Sequence, residues 1–174
     1  CADSIVVTAR TSGSQYDRDG ITCLLVDTDA AGIDRTSYSM MDGQQAANIS
    51  FNNVRIGKDR VLGSIDGGIE MIEAIIPQVS LAVGAEALGI MATLNDLTVN
   101  YAKTRNQFGV PISSFQVLQH RMVDNFMAVE QARSMLYRGL CSYGEDSTAS
   151  EDERLRSLYA MRVVIARSSK QVGE

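Results

Sequence analysis

The sequence predicts an α+β fold in which an antiparallel β module is followed by a domain of long helices arranged as a four-helix bundle. Three observations carry this reading. Up to about residue 62, short β-branched runs alternate with turns rich in glycine, aspartate and asparagine, the grammar of antiparallel strands. Beyond it, apolar residues recur every three or four positions through segments of bundle length. Between the first two of those segments lies a polar corner, Tyr101 to Gln119, reading YAKTRNQFGVPISSFQVLQ.

In order, SIVVTAR (4–10) and ITCLLVD (21–27) read as neighbouring strands separated by a turn-rich stretch. Asp29 to Gly32 makes a turn, a polar run extends to Met41, and Asp42-Gly43 makes another turn. In NISFNNVRI, the residues Ile49, Phe51 and, after a break at Asn52-Asn53, Val54 and Ile56 predict a strand with one buried face. The sequon Asn48-Ile49-Ser50 falls inside that strand and is discounted as a glycosylation site.

From Leu62 the pattern is helical. A short amphipathic piece, GGIEMIEAII, precedes Pro77, which is expected to open a new helix because its missing N–H costs nothing at the first position. From there to about Arg105 is roughly 43 Å at the helical rise. Leu81, Ala85, Leu88, Ala92, Val99 and Ala102 mark its stripe, and Gly84, Ala85, Gly89 and Ala92 allow close helix approach. A second helix, from Ser113 to about Cys141, places Phe115, Leu118, Met122, Phe126, Val129, Met135, Leu136 and Leu140 on a bundle face. Ser150 with Glu153 forms a capping box for a third, carrying Leu155, Leu158, Met161, Ile165 and Val172. The chain opens on Cys1 and ends without the punctuation that closes the first long helix. Both the natural N-terminus and the bundle's fourth helix are therefore expected outside it.

Composition bounds the function. With 45% hydrophobic and 21% charged residues, the 174-residue chain is globular rather than disordered. A net charge of −5 with scattered basic residues argues against nucleic-acid binding. Cys1, Cys23 and Cys141 form no close pair, which favours a reducing compartment, and a single histidine, His120, leaves almost no metal ligands. No signal peptide is visible, and no apolar run reaches the roughly 20 uninterrupted residues that a bilayer requires.

At the corner, Gly109 and Pro111 are the expected helix stop, and Ser113 with Gln116 has capping-box spacing. Arg105 sits where a helix macrodipole favours a cation, yet its planar five-donor group also suits a pyrophosphate. Phe108 reads from pattern as a staple of the helix corner to the core. Gln116 serves the capping box, and a residue in a first helical turn also faces a natural phosphate site. Gln107 and Gln119 read as solvated amides. Glu86 is the one acid in the apolar part of the first long helix. In apolar surroundings its pKa would rise and it could act as a base; on the open side of the helix it is simply solvated. His120 reads as structural or interfacial.

The segment RNQFGVPISSFQVLQ resembles the Arg-x-x-Phe-Gly…Gln segment of the acyl-CoA dehydrogenases, which joins two helices of their C-terminal domain. ADSIVVTART resembles the strand after the Trp-x-x-Thr motif of that family's middle β domain, and ISFNNVRI resembles its closing strand. The tryptophan motif itself is absent, since the chain has no tryptophan. The resemblance implies a partial middle β domain over 1–62 and a C-terminal helical domain over 63–174, truncated before its last helix. An antiparallel module that begins midway is expected to leave an unpaired strand edge.

The resemblance further implies that Arg105, Gln107, Phe108 and Gln116 contact the FAD of a neighbouring subunit. The activity implied is oxidation of an acyl-CoA to the 2,3-enoyl-CoA, with electrons passed to an electron-transfer flavoprotein. A homodimer or homotetramer, cytoplasmic or in the mitochondrial matrix, would follow. No catalytic residue is assigned. Where some members carry their base this chain has Val79, and the arginine of the usual acyl-CoA contact is unmatched. Two alternatives stay open: a non-catalytic FAD-contacting subunit of a heteromeric dehydrogenase, and a structural helical module without cofactor.

Overall fold

The computed structural model describes residues 2–174; Cys1 lies outside the described residues. The chain divides into two compact units, Cys1–Ile75 and Ile76–Glu174.

In the first unit, β1 (Ser4–Arg10) and β2 (Ile21–Asp27) pair antiparallel from Ser4 opposite Asp27 to Arg10 opposite Ile21. The short β5 (Val61–Leu62) lies on the other edge of β2, giving the order β1-β2-β5. The central strand supplies the buried residues, Thr22, Cys23 and Val26, whereas β1 pairs with no other described strand and keeps an open edge. Buried Thr22 is satisfied by a ring of hydrogen bonds. The Asp66 amide donates to Thr22 Oγ1 at 2.9 Å, the Thr22 and Thr11 hydroxyls share a bond at 2.7 Å, and Thr11 donates to Asp66 Oδ1 at 2.6 Å. Just after it, Gly68 lies so close to β2 that a Cβ there would meet the Ile21 carbonyl oxygen at 2.9 Å.

The polar run after Gly32 proves to be a strand. β3 (Ile33–Ser39) pairs antiparallel with β4 (Gln45–Phe51), closed by the expected Asp42-Gly43 turn with Gly43 at φ 82°. β4 ends at Phe51, which is exposed, and Val54 and Ile56 lie beyond it outside the strand. Within β4 the predicted face is carried by half-buried Ala47 and Ile49, and Val54 and Ile56 are half-buried beyond the strand.

Pro77 does not open a helix. α1 (Gly68–Thr104) is continuous through it. The proline forfeits one i→i−4 hydrogen bond, but apolar residues on both sides, from half-buried Ile69 to buried Leu81, continue the same element. α2 (Gln116–Tyr143) and α3 (Glu151–Gly173) complete the unit. Leu81, Leu88 and Met91 of α1, Val129, Ala132 and Leu136 of α2, and Leu158, Met161 and Ile165 of α3 form one core.

The buried stripe of α1 is shifted from the expected one: Gly84 is buried, while Ala85 and Gly89 face outward. The other close approach is Gly139 of α2, where a Cβ would meet Leu81 Cδ2 at 2.9 Å. Phe126 and Leu140, expected on the core face of α2, are exposed. At α3 the Ser150–Glu153 capping box forms in both directions.

By length and composition alone α1 is apolar enough to cross a membrane, with an 18-residue window of mean hydropathy 1.6 that is only 17% buried, although it holds no uninterrupted apolar run of bilayer length. Its outward residues Ile76, Val79, Val83, Ile90, Leu94 and Leu97 supply the apolar character, while Glu86 interrupts the uninterrupted run that the sequence criterion requires.

Candidate functional site

The polar corner between α1 and α2 is a miniature β-hairpin rather than a plain helix stop. α1 closes at Thr104, with the Arg105 amide still donating to the Tyr101 carbonyl at 2.9 Å. The chain then forms β6 (Asn106–Gln107) and β7 (Val110–Pro111), with Gln107 opposite Val110 and Asn106 opposite Pro111. The Ile112 amide donates to the Arg105 carbonyl at 2.8 Å and closes the base. Gly109 does take the left-handed conformation, φ 81°, but as the second residue of the hairpin turn, well past the helix end.

The first turn residue is Phe108, also left-handed at φ 56°. Positive φ at both central positions is the type I′ pattern, whose twist matches the flanking strands and which ordinarily selects Asn, Asp or Gly. A bulky residue there carries strain of about 1 kcal/mol or more. The side chain is 92% exposed, so Phe108 is no staple to the core. Its ring meets that of Phe115 edge-on, with centroids 6.2 Å apart and planes at 79°.

Ser113 does not cap α2. It belongs to a 3-10 turn, Ile112–Ser114, and the N-cap is Phe115, which offers no side-chain acceptor. The turn wins because its backbone bonds are made locally: the Phe115 amide donates to the Ile112 carbonyl at 3.1 Å and Ser114 Oγ to the Pro111 carbonyl at 2.7 Å. Gln116 is therefore the first residue of α2, exposed, and free of the capping role expected of it.

Arg105, Gln107 and Phe108 thus sit on one hairpin, and Gln116 directly follows the residue whose ring touches Phe108. All four are exposed. Among the described residues no carboxylate lies within 4.0 Å of the Arg105 guanidinium, leaving its charge available. Gln119 is committed elsewhere, its Nε2 donating to the Ser113 carbonyl at 2.9 Å. Glu86 and His120 are exposed on their helices, Glu86 on the open side of α1. At the base of the corner is an open, mostly apolar groove of about 380 Å³, lined by Leu97, Tyr101, Ile112, Leu118, Arg121 and Met122 among others. Phe115, whose ring meets that of Phe108, carries no site signal in the sequence, because helical spacing assigns it to a packing face.

This donor set fits an anionic dinucleotide. An unpaired guanidinium suits a pyrophosphate, exposed aromatic edges and an apolar groove suit flat rings, and two free amides suit polar ring edges.

Comparison with known proteins places the corner in context. The family model for the acyl-CoA dehydrogenase C-terminal domain matches residues 66–167. A probable acyl-CoA dehydrogenase, YngJ, of Bacillus subtilis is 34% identical over 140 residues, covering 79% of this chain and 37% of its own length. The human mitochondrial short-chain specific acyl-CoA dehydrogenase is 31% identical over 140 residues, 79% of this chain and 34% of its own length. The chain therefore spans little more than a third of these relatives. Among solved structures, an acyl-CoA dehydrogenase from Geobacillus kaustophilus superposes with a TM-score of 0.88 at 23% identity, over 98% of this chain and 45% of that one. Butyryl-CoA dehydrogenase from Megasphaera elsdenii gives 0.75 at 25%, over 99% and 46%. The shared β module and helical bundle, together with the matched segment that contains the corner, lead to one conclusion: the chain belongs to the acyl-CoA dehydrogenase family.

Proposed function

We propose that this chain is the flavin-contacting portion of an FAD-dependent acyl-CoA dehydrogenase that converts an acyl-CoA thioester to the 2,3-enoyl-CoA. The observation that carries the reading is an exposed, unpaired Arg105 guanidinium on the same hairpin as an exposed phenylalanine held in a strained left-handed conformation. A fold that leaves the guanidinium unpaired and holds the ring at an exposed hairpin tip is built to meet something outside itself.

Arg105 would pair with the pyrophosphate of FAD, Phe108 would pack against its ring system, and Gln107 and Gln116 would bond its polar edges. Bound FAD supplies the acceptor for the hydride leaving the β-carbon. This chain's residues supply charge neutralisation and orientation. Relatives named as short-chain and butyryl-CoA dehydrogenases support acyl-CoA as the substrate class. Electrons would pass to an electron-transfer flavoprotein. Residues 1–62 correspond in this reading to part of the middle β domain and 63–174 to the C-terminal domain, in a homodimer or homotetramer whose flavin is shared across a subunit boundary. The compartment would be the cytoplasm, or the mitochondrial matrix in a eukaryote.

A second reading is favoured by one feature: along α1 the acids between Pro77 and Arg105 are Glu86 and Asp96, both exposed, and Val79 stands where some members of the family carry their base. In that reading the chain faces the flavin of a heteromeric dehydrogenase while its partner supplies the base. Enoyl-CoA formation by the purified chain, with and without a second dehydrogenase subunit, separates the two. Colourless protein that takes up no flavin contradicts both.

A further inference from the structure

We infer that Phe115 is a positioning residue for the ligand-facing ring of Phe108, an inference that rests on the flavin-contacting role proposed for the corner. Phe108 stands at the tip of a two-residue turn, where a side chain has no cross-strand neighbour to fix it. Its exposed ring would sample several rotamers, and ordering it on binding would cost affinity. Among the described residues, its edge-on contact with Phe115 is the one aromatic pair.

Phe115 is well suited to hold that ring. Its backbone is fixed on both sides: its amide donates to the Ile112 carbonyl, and its carbonyl accepts from the Leu118 and Gln119 amides at 3.0 and 3.1 Å. It occupies the N-cap of α2, a position that ordinarily selects Ser, Thr, Asp or Asn. It is only half-buried and does not belong to the helical core. An aromatic ring at a site where a cap is preferred, outside the core and against a second exposed ring, is explained by the pairing. The contact ties the hairpin tip to the start of α2 and so fixes Phe108 relative to Gln116.

The test is a double-mutant cycle in FAD affinity, read by flavin fluorescence on the full chain as wild type, Phe115→Leu, Phe108→Ala and the double variant, with Phe115→Tyr as the conservative control. Phe115→Leu is expected to weaken FAD binding about fivefold to tenfold, the scale of one aromatic pair. Phe115→Tyr is expected to retain affinity, and the double variant to bind no worse than Phe108→Ala alone. If Phe115→Leu fails to fold, Phe115→Met takes its place, with thermal unfolding as the check. An equal loss from Phe115→Leu in the Phe108→Ala background, or no loss in the wild type, overturns the positioning role while leaving the proposed function standing. A wild-type chain that binds no FAD overturns both.

Discussion

The rings of Phe108 and Phe115 meet edge-on at 6.2 Å, joining the tip of a strained hairpin to the first turn of the helix that follows it. Phe108 adopts φ 56° in a turn whose partner, Gly109, adopts 81°. The backbone therefore favours glycine at 108, while the proposed flavin contact would favour a ring. Phe108→Gly is expected to be more stable than Phe108→Ala by about 1 kcal/mol, the reverse of the usual order in helices and strands. Both variants are expected to lose flavin affinity. Urea unfolding of the two proteins measures the difference, and Phe108→Ala proving the more stable would contradict the strain.

Two helical glycines separate packing from propensity. A Cβ at Gly89 meets nothing within 4 Å, whereas one at Gly139 meets Leu81 Cδ2 at 2.9 Å and Met161 Sδ at 3.2 Å inside the core. Gly89→Ala is expected to stabilise the protein by about 0.5–1 kcal/mol. Gly139→Ala is expected to fall below it by about 1–3 kcal/mol through overpacking. Equal unfolding midpoints would mean that the α1–α2 contact is looser than described.

The cap of α3 makes stability depend on acid pH. The Ser150 backbone amide, followed by the Ser150 hydroxyl, bonds the Glu153 carboxylate and holds its pKa below the usual glutamate value. That contribution is fully present above the pKa of an unfolded glutamate and is lost as pH falls through the lowered folded value. Thermal unfolding followed from neutral pH into the acid range should show a steeper decline for wild type than for Glu153→Gln. Ser150→Ala should cost about 1 kcal/mol at neutral pH. Identical pH profiles for wild type and Glu153→Gln would contradict the box.

Much of this molecule is written in local pattern. The strands Ser4–Arg10 and Ile21–Asp27 and the Ser150 cap are legible because β-branched runs and the Ser-x-x-Glu spacing each select one conformation. β3 is not, because apart from half-buried Ile33 its residues are exposed, so no apolar alternation marks a strand held by backbone pairing to β4. Pro77 misleads because the proline rule describes a local cost of one hydrogen bond, which a helix that extends well to either side of it can carry. At the corner, Gly109 signals a left-handed residue, but a phenylalanine before it is an unusual type I′ partner, so the hairpin is hidden by Phe108 itself. The Phe108–Phe115 contact depends on that hairpin and could not be read without it.

Whether the corner hairpin holds a flavin through an unpaired arginine is decided by equilibrium FAD binding to purified wild type, Arg105→Lys and Arg105→Ala. Loss of a charge-assisted, two-pronged contact is expected to weaken binding about tenfold to a hundredfold in Arg105→Ala, with Arg105→Lys between the two because a point charge keeps the attraction and loses the fork. FAD affinity that is the same in all three proteins would contradict the account.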